Sequence, residues 1–314
     1  MRIFYSDHYT LELPPGHRFP MHKYRMVRRA LVAEGVVPGT CFREAPLADP
    51  GALLRAHTPE YVQAILTGTA PPAVMRRIGF PWSPALVRRS LATVGGTLAA
   101  AEAALEDGIA GNLAGGTHHA LPTHGEGFCV FNDLAITALT LLEGRRVRRV
   151  AIIDLDVHQG NGTAAILGTR PEVFTFSMHG ARNYPFRKVP STLDVHLPDN
   201  TDDDTYLLLL EQLLPRVLAF KPDIVLYQAG VDPLREDTLG RLALSPLGLM
   251  ERDFLVLSAC ARHGIPVVMT LGGGYAEPLE LSVAAYVNTY RVAVELFGTE
   301  EHRSAQRGAR HEAP

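Results

Sequence analysis

Five apolar runs of strand length punctuate the chain, at residues 112–114, 149–155, 173–177, 223–229 and 266–271, with longer segments of helical period among them. The runs are nearly continuously apolar rather than alternating, as strands buried on both faces are. Helix starts are marked by capping residues followed by proline: Thr58-Pro59, Ser83-Pro84 and Ser245-Pro246. Asn132 can cap a helix over 133–142, and residues 21–35 and 206–220 carry apolar positions at helical spacing. Strands alternating with helices predict an α/β fold with a mostly parallel central sheet and helices on both faces. The opening residues 1–7 read as an edge strand. No internal repeat or linker divides the chain, so residues 1–298 are expected to form one domain and the polar stretch 299–314 a frayed tail.

Composition closes off several classes. With 46% hydrophobic residues, the chain has ample surface for a packed core. Thirty basic against 33 acidic side chains give a net charge of −3, without the basic excess that marks a nucleic-acid partner. Cys41, Cys129 and Cys260 lie far apart, fit no disulfide framework and suggest a reducing compartment. The start has no apolar signal-peptide core, and no run of eighteen apolar residues exists. No membrane association and a cytoplasmic location are expected.

Four strand ends carry unusual chemistry, and in open α/β sheets ligands bind beyond the carboxyl ends of the strands. At 150–162, Asp154, Asp156 and His158 alternate with Leu155 and Val157 and so share one face. Two carboxylates there need a cation or several donors to stay ionised, and Asp with His suits a divalent metal; a buried Asp–His network closing a turn is the alternative. The run 223–233 ends in Gly230-Val231-Asp232-Pro233, which alone reads as a turn. Gly115-Gly116-Thr117-His118-His119 offers two histidines beside Gly125-Glu126-Gly127-Phe128, functional bases or plain loop residues. Gly272-Gly273-Gly274-Tyr275 allows a close backbone approach with a phenol beside it, and lacks both phosphate-loop spacings. Together these suit metal-assisted hydrolysis of a carbonyl compound.

With these motifs in this order, and with residues 16–21, 57–62 and 127–129, the chain resembles the zinc-dependent histone deacetylase-like amidohydrolases of the arginase/deacetylase fold; the opening segment and residues 78–84 are most similar to bacterial relatives of the class IV deacetylases. The resemblance implies that Asp156, His158 and Asp232 ligate one Zn²⁺. It makes His119 the general base and His118, paired with Asp154, its partner, with Tyr275 donating to the oxyanion. It also implies a K⁺ held by Asp154, Asp156, His158, Ser177 and Met178. Asn161 stands where some relatives have an Asp that orients the base, and no Asp lies between Thr67 and Trp82, where several relatives grip the substrate backbone.

The implied substrate is an acyl-lysine protein or peptide, or else a small N-acylated amine such as an acetylpolyamine, with Gly127, Phe128 and Phe186 as binding walls. An acetylpolyamine favours an acidic mouth, for which Asp202-Asp203-Asp204 is a candidate, although such a run also caps helices. An arginase-like site with two Mn²⁺ ions would place Asp at positions 160 and 230, and both are glycine. A catalytically dead binding module would be expected to have lost a ligand, a histidine or the tyrosine, and all are present.

Overall fold

Capping and burial together shape the helices. A computed structural model describes residues 1–298 of the chain; the polar stretch 299–314 lies outside the described residues. In chain order it forms β1 (Arg2–Tyr5), α1 (Lys23–Ala33), β2 (Phe42–Glu44), α2 (Pro50–Leu53), α3 (Pro59–Thr67), α4 (Pro72–Ile78), α5 (Pro84–Asp107), β3 (Ile109–Asn112) and α6 (Asp133–Glu143). There follow β4 (Val150–Asp154), α7 (Asn161–Leu167), β5 (Val173–Gly180), β6 (Leu193–Leu197), α8 (Asp203–Ala219), β7 (Ile224–Gln228), α9 (Pro246–Arg262), β8 (Val267–Thr270) and α10 (Glu280–Phe297). Thr58, Ser83, Asn132 and Ser245 each accept a backbone N–H of the first turn, and proline leads α3, α5 and α9. Asp202 caps α8 in the same way, and Asp203 accepts from the Ser245 backbone and hydroxyl, so the acidic run serves helix ends.

The eight strands of the described residues pair in parallel in the order β2-β1-β3-β8-β7-β4-β5-β6. The opening strand is therefore internal, not an edge. The true edges, β2 and β6, are short and partly exposed and lack the apolar runs that mark the buried strands. β3 begins at Ile109, before the expected 112–114; its small residues Ala110 and Gly111 hide it from a hydrophobicity pattern. A Cβ on Gly111 would stand 2.3 Å from the Tyr290 hydroxyl of α10, so the glycine lets that helix lie close to the sheet. Helix α5 packs on β1, β3 and β8 and against α6, while α1, α10, α9 and α8 pack in succession.

The topology explains why the four motifs meet. β3, β8, β7 and β4 are consecutive neighbours, and because all run parallel their carboxyl ends emerge at one edge. Asn112, Thr270, Gln228, Asp154 and Ser177 lie in one register row across that edge. Each is buried, and the row is hydrogen-bonded: Thr270 donates to Gln228, and Gln228 to the Gly116 carbonyl just beyond β3.

Candidate metal centre and active site

Asp156, His158 and Asp232 turn their ligand atoms toward one point, all within 4.8 Å of one another. His158 Nδ1 lies 3.0 Å from Asp156 Oδ1 and 3.0 Å from Asp232 Oδ2. The second oxygens are used by the backbone: Val157 N–H donates to Asp232 Oδ1, and Gly273 N–H to Asp156 Oδ2. Burial works against charge on all three. Even so, the two carboxylates push the His158 imidazole up to about 10, while burial and Asp156 push Asp232 up to about 7. Two buried carboxylates sharing one imidazole nitrogen are short of positive charge, and a set of two oxygens and one nitrogen fits a divalent cation with open positions.

Beyond β3, Gly115 and Gly116 take positive φ, at 80° and 73°, and aim the two histidines at this cluster. The loop is held by Asp133, which accepts from the Gly116 and Thr117 backbone and from the Thr97 and Thr117 hydroxyls. The two buried imidazoles meet different partners. His118 Nδ1 lies 2.7 Å from Asp154, and despite burial the Asp154 and Asp156 carboxylates push it up to about 9. His119 Nδ1 lies 2.7 Å from Asn161 Oδ1, and burial with the neighbouring His118 and His158 holds it well below the usual histidine range. Asn161 in turn donates Nδ2–H to Glu126. A carboxylate can only accept, so Glu126 fixes the amide with its oxygen toward His119 and requires His119 Nδ1 to carry hydrogen. The Nε2 lone pair is then free. Sequence reasoning named Glu126 only as a loop neighbour, and no spacing marks the relay because His119 and Glu126 lie on the connection between β3 and α6 while Asn161 opens α7.

The glycines after β8 serve close approach. A Cβ on Gly273 would stand 1.9 Å from Asp232 Oδ2, and Gly272 and Gly274 have positive φ. Tyr275 lines the cavity, and its backbone N–H donates to Asp237, which also receives the Leu239 and Gly240 N–H groups. Below the ligands, Arg252 of α9 is wholly buried, pairs with Asp253 and donates to the Leu155 and Gly230 carbonyls. Asp237 and Arg252 both escaped the sequence reading, since each acts through backbone groups. The residues of the expected cation site come from two paired strands and the turn after one of them: Asp154 ends β4 opposite Ser177 of β5, with buried Met178 next, while Asp156 and His158 follow β4.

A cavity of about 600 Å³ opens above these groups and includes His118, His119, Asp156, His158 and Tyr275. Gly127 and Phe128 form one wall, stapled to the end of α4 by bonds from Gly127 N–H to the Arg77 carbonyl and Phe128 N–H to the Ile78 carbonyl. Phe128 has φ of 64°, rare for a bulky residue and found where surroundings over-determine the backbone. Tyr184 meets His119 edge-on with ring centres 5.0 Å apart, a wall the sequence reading did not name. Phe186 lines the cavity too, but at its mouth and 89% exposed.

Residues 17–290 match the model of the histone deacetylase domain. The chain is 45% identical to an uncharacterised protein of Picosynechococcus, covering 94% of this chain and 99% of that one. It is 33% identical to histone deacetylase 2 of Arabidopsis thaliana, covering 87% and 74%, and 28% identical to a histone deacetylase-like amidohydrolase of Pseudomonas aeruginosa, covering 83% and 73%. Among solved structures, a histone deacetylase homologue from Aquifex aeolicus superposes with a TM-score of 0.80 at 24% identity, covering 95% of this chain and 84% of that one, and so shares the fold. No helix among the described residues is long and apolar enough to cross a membrane. The chain belongs to the histone deacetylase family, metal-dependent hydrolases that act on amide bonds.

Proposed function

We propose that residues 1–298 form the catalytic domain of a cytoplasmic, zinc-dependent lysine deacylase that removes an acyl group from acyl-lysine. The observation that carries this reading is the opposed pair of histidines beside a three-ligand cluster. Paired groups pushed apart in pKa by their surroundings are the mark of a divided acid and base. Asp156, His158 and Asp232 hold the Zn²⁺, which when bound polarises the amide carbonyl and brings the pKa of water to about 7. His119, neutral and presenting Nε2, takes the proton of the attacking water. His118, charged beside Asp154, adds positive charge and is the proton source for the leaving amine. Tyr275 donates its hydroxyl to the developing oxyanion. Gly127, Phe128 and, at the mouth, Phe186 border the chain of the substrate. Asp154, Asp156, His158, Ser177 and Met178 hold a K⁺ that lets neighbouring carboxylates remain ionised.

The test is hydrolysis of a matched panel of acetyl-lysine peptide, longer acyl-lysine peptide and acetylspermidine, with metal analysis by mass spectrometry. One equivalent of zinc and turnover of an acyl-lysine peptide are expected. His119→Ala should lower turnover by about 10²–10⁴-fold, and Tyr275→Phe by about 10²–10³-fold, both with metal retained. Turnover of acetylspermidine alone would replace the acyl-lysine reading, and protein that binds no divalent metal would overturn the site.

A further inference from the structure

The mouth of the cavity is basic in a chain whose net charge is −3. Arg18, Arg76, Arg77, Arg182 and Arg241 all line it and all are exposed. Among the described residues, the one acidic residue in the lining is Asp156, at the floor. Little among the described residues neutralises these guanidiniums. Arg182 and Arg241 share a single carboxylate, Asp199, at 3.6 and 3.3 Å. Arg77 lies 3.0 Å from His124, whose pKa burial and then Arg77 hold down, and the Glu126 carboxylate stands 3.9 Å from that imidazole without an ion pair to Arg77 itself among the described residues. Arg18 and Arg76 form no ion pair among the described residues.

The placement adds to the count. Arg76 and Arg77 end α4, and the Arg77 and Ile78 carbonyls receive the Gly127 and Phe128 N–H groups that form the cavity wall. The positive charge is therefore fixed to the wall past which a substrate must enter. Arg182 and Arg241 stand on two other loops, so charge of one sign enters the mouth from several directions. A guanidinium presents a planar fork of donors that matches a carboxylate, and like-charged groups around an opening steer anions toward it.

We infer that the amine half of the substrate carries carboxylate: this site takes N-acylated lysine whose own or neighbouring carboxylates meet the arginines, in preference to basic tails or acylated polyamines. This deepens the deacylase reading and rests on it for which half of the substrate faces outward. Free N-acyl amino acids and acyl-lysines in acidic sequence share the chemistry, and the experiment separates them.

The test uses the zinc-loaded, full-length protein and Nα-benzoyl-Nε-acetyl-lysine beside its carboxamide, a pair that differs by one negative charge. Acetyl-lysine peptides flanked by Asp/Glu or by Lys/Arg form the second pair. Binding is measured by calorimetry and hydrolysis as kcat/KM. The anionic member should be favoured about tenfold in both readouts, the sum of several modest exposed contacts. That preference should shrink to within about twofold in roughly 0.5 M salt, where screening shortens the reach of exposed charges. In the Arg76→Glu/Arg77→Glu double variant the ratio of anionic to neutral substrate should fall in the same way. A preference in the small pair alone points to free acyl amino acids, and one in the peptides as well to acidic sequences; both support the inference. Equal treatment of the charged and neutral members, or preference for the Lys/Arg peptide, would overturn it while leaving the deacylase reading intact. Anion-selective binding with no hydrolysis of any member would do the reverse.

Discussion

The floor of the cavity and its mouth are held by different forces. At the floor, Asp156 and Asp232 each accept a backbone N–H besides facing His158, His118 rests on Asp154, and His119 rests on Asn161 and through it on Glu126. Apart from the half-buried Glu126 these groups are buried or nearly so, and they hold one another by hydrogen bonds while His119 Nε2 stays free for chemistry. At the mouth, Phe186 is 89% exposed and the arginines reach into solvent with few partners. The floor is a low-dielectric site where a misplaced charge costs several kcal/mol, and the mouth is a solvated rim where charges steer and select. The difference teaches where chemistry and specificity reside: the first needs fixed geometry, the second needs only charge and reach.

The sharpest way to break the comparison is to alter one charged group at each level. Asp232→Asn keeps an oxygen for the Val157 N–H but removes the negative charge. Zinc affinity should fall by more than the roughly 100-fold that loss of an outer partner costs, and hydrolysis should vanish with it. Phe186→Ala, at the rim, should leave zinc content and melting temperature unchanged and alter kcat/KM by only a few-fold. Metal analysis and thermal melts of both proteins read the contrast; stoichiometric zinc in Asp232→Asn would remove Asp232 from the ligand set.

Packing supplies a second, smaller test. Because a Cβ on Gly273 would fall 1.9 Å from Asp232 Oδ2 and 2.9 Å from Asp156 Oδ2, Gly273→Ala must displace two carboxylates or the loop itself. A destabilisation of about 1–3 kcal/mol is expected, with weakened zinc binding, measurable by denaturant unfolding with and without added zinc. If the floor were as pliable as the mouth, the substitution would be silent.

What could be read from the sequence follows the same division. The buried strands announced themselves because parallel strands covered on both faces must be apolar, and the α3, α5 and α9 caps because Thr or Ser before Pro satisfies orphan N–H groups locally. Asp154, Asp156 and His158 could be singled out because a polar triplet at the end of such a strand has no cheap packing explanation, although only Asp154 lies within β4. The edge strands β2 and β6 had no such signal, and β1 was misplaced because pairing order depends on contacts remote in sequence. Arg252, Asp237 and Glu126 were invisible for a related reason: each works through groups brought near only by the fold. Asp202-Asp203-Asp204 illustrates the converse, a conspicuous run that caps α8 and bonds Ser245.

The gentlest test moves a charge by one residue inside the floor. In the protein as it stands, the negative charge is on Glu126, and Asn161 lies between it and His119. A base must be neutral to accept a proton, so kcat/KM is lost as pH falls through the pKa of His119. Burial, with His118 and His158, sets that pKa well below the ordinary value of 6.5, and the acid limb should therefore lie on the acid side of that value. The double variant Asn161→Asp/Glu126→Gln keeps the total charge and the hydrogen-bond pattern but brings the carboxylate against His119 Nδ1. An adjacent negative charge favours the imidazolium, so the limb should move to higher pH by about one unit. Asn161→Asp alone sets two carboxylates side by side, which share a proton, and its limb should move less. A pH profile of kcat/KM across the three proteins distinguishes these outcomes: identical limbs would mean that His119 is not the titrating base, whereas the graded shift would show that the amide at position 161 keeps the base neutral by insulating it from Glu126.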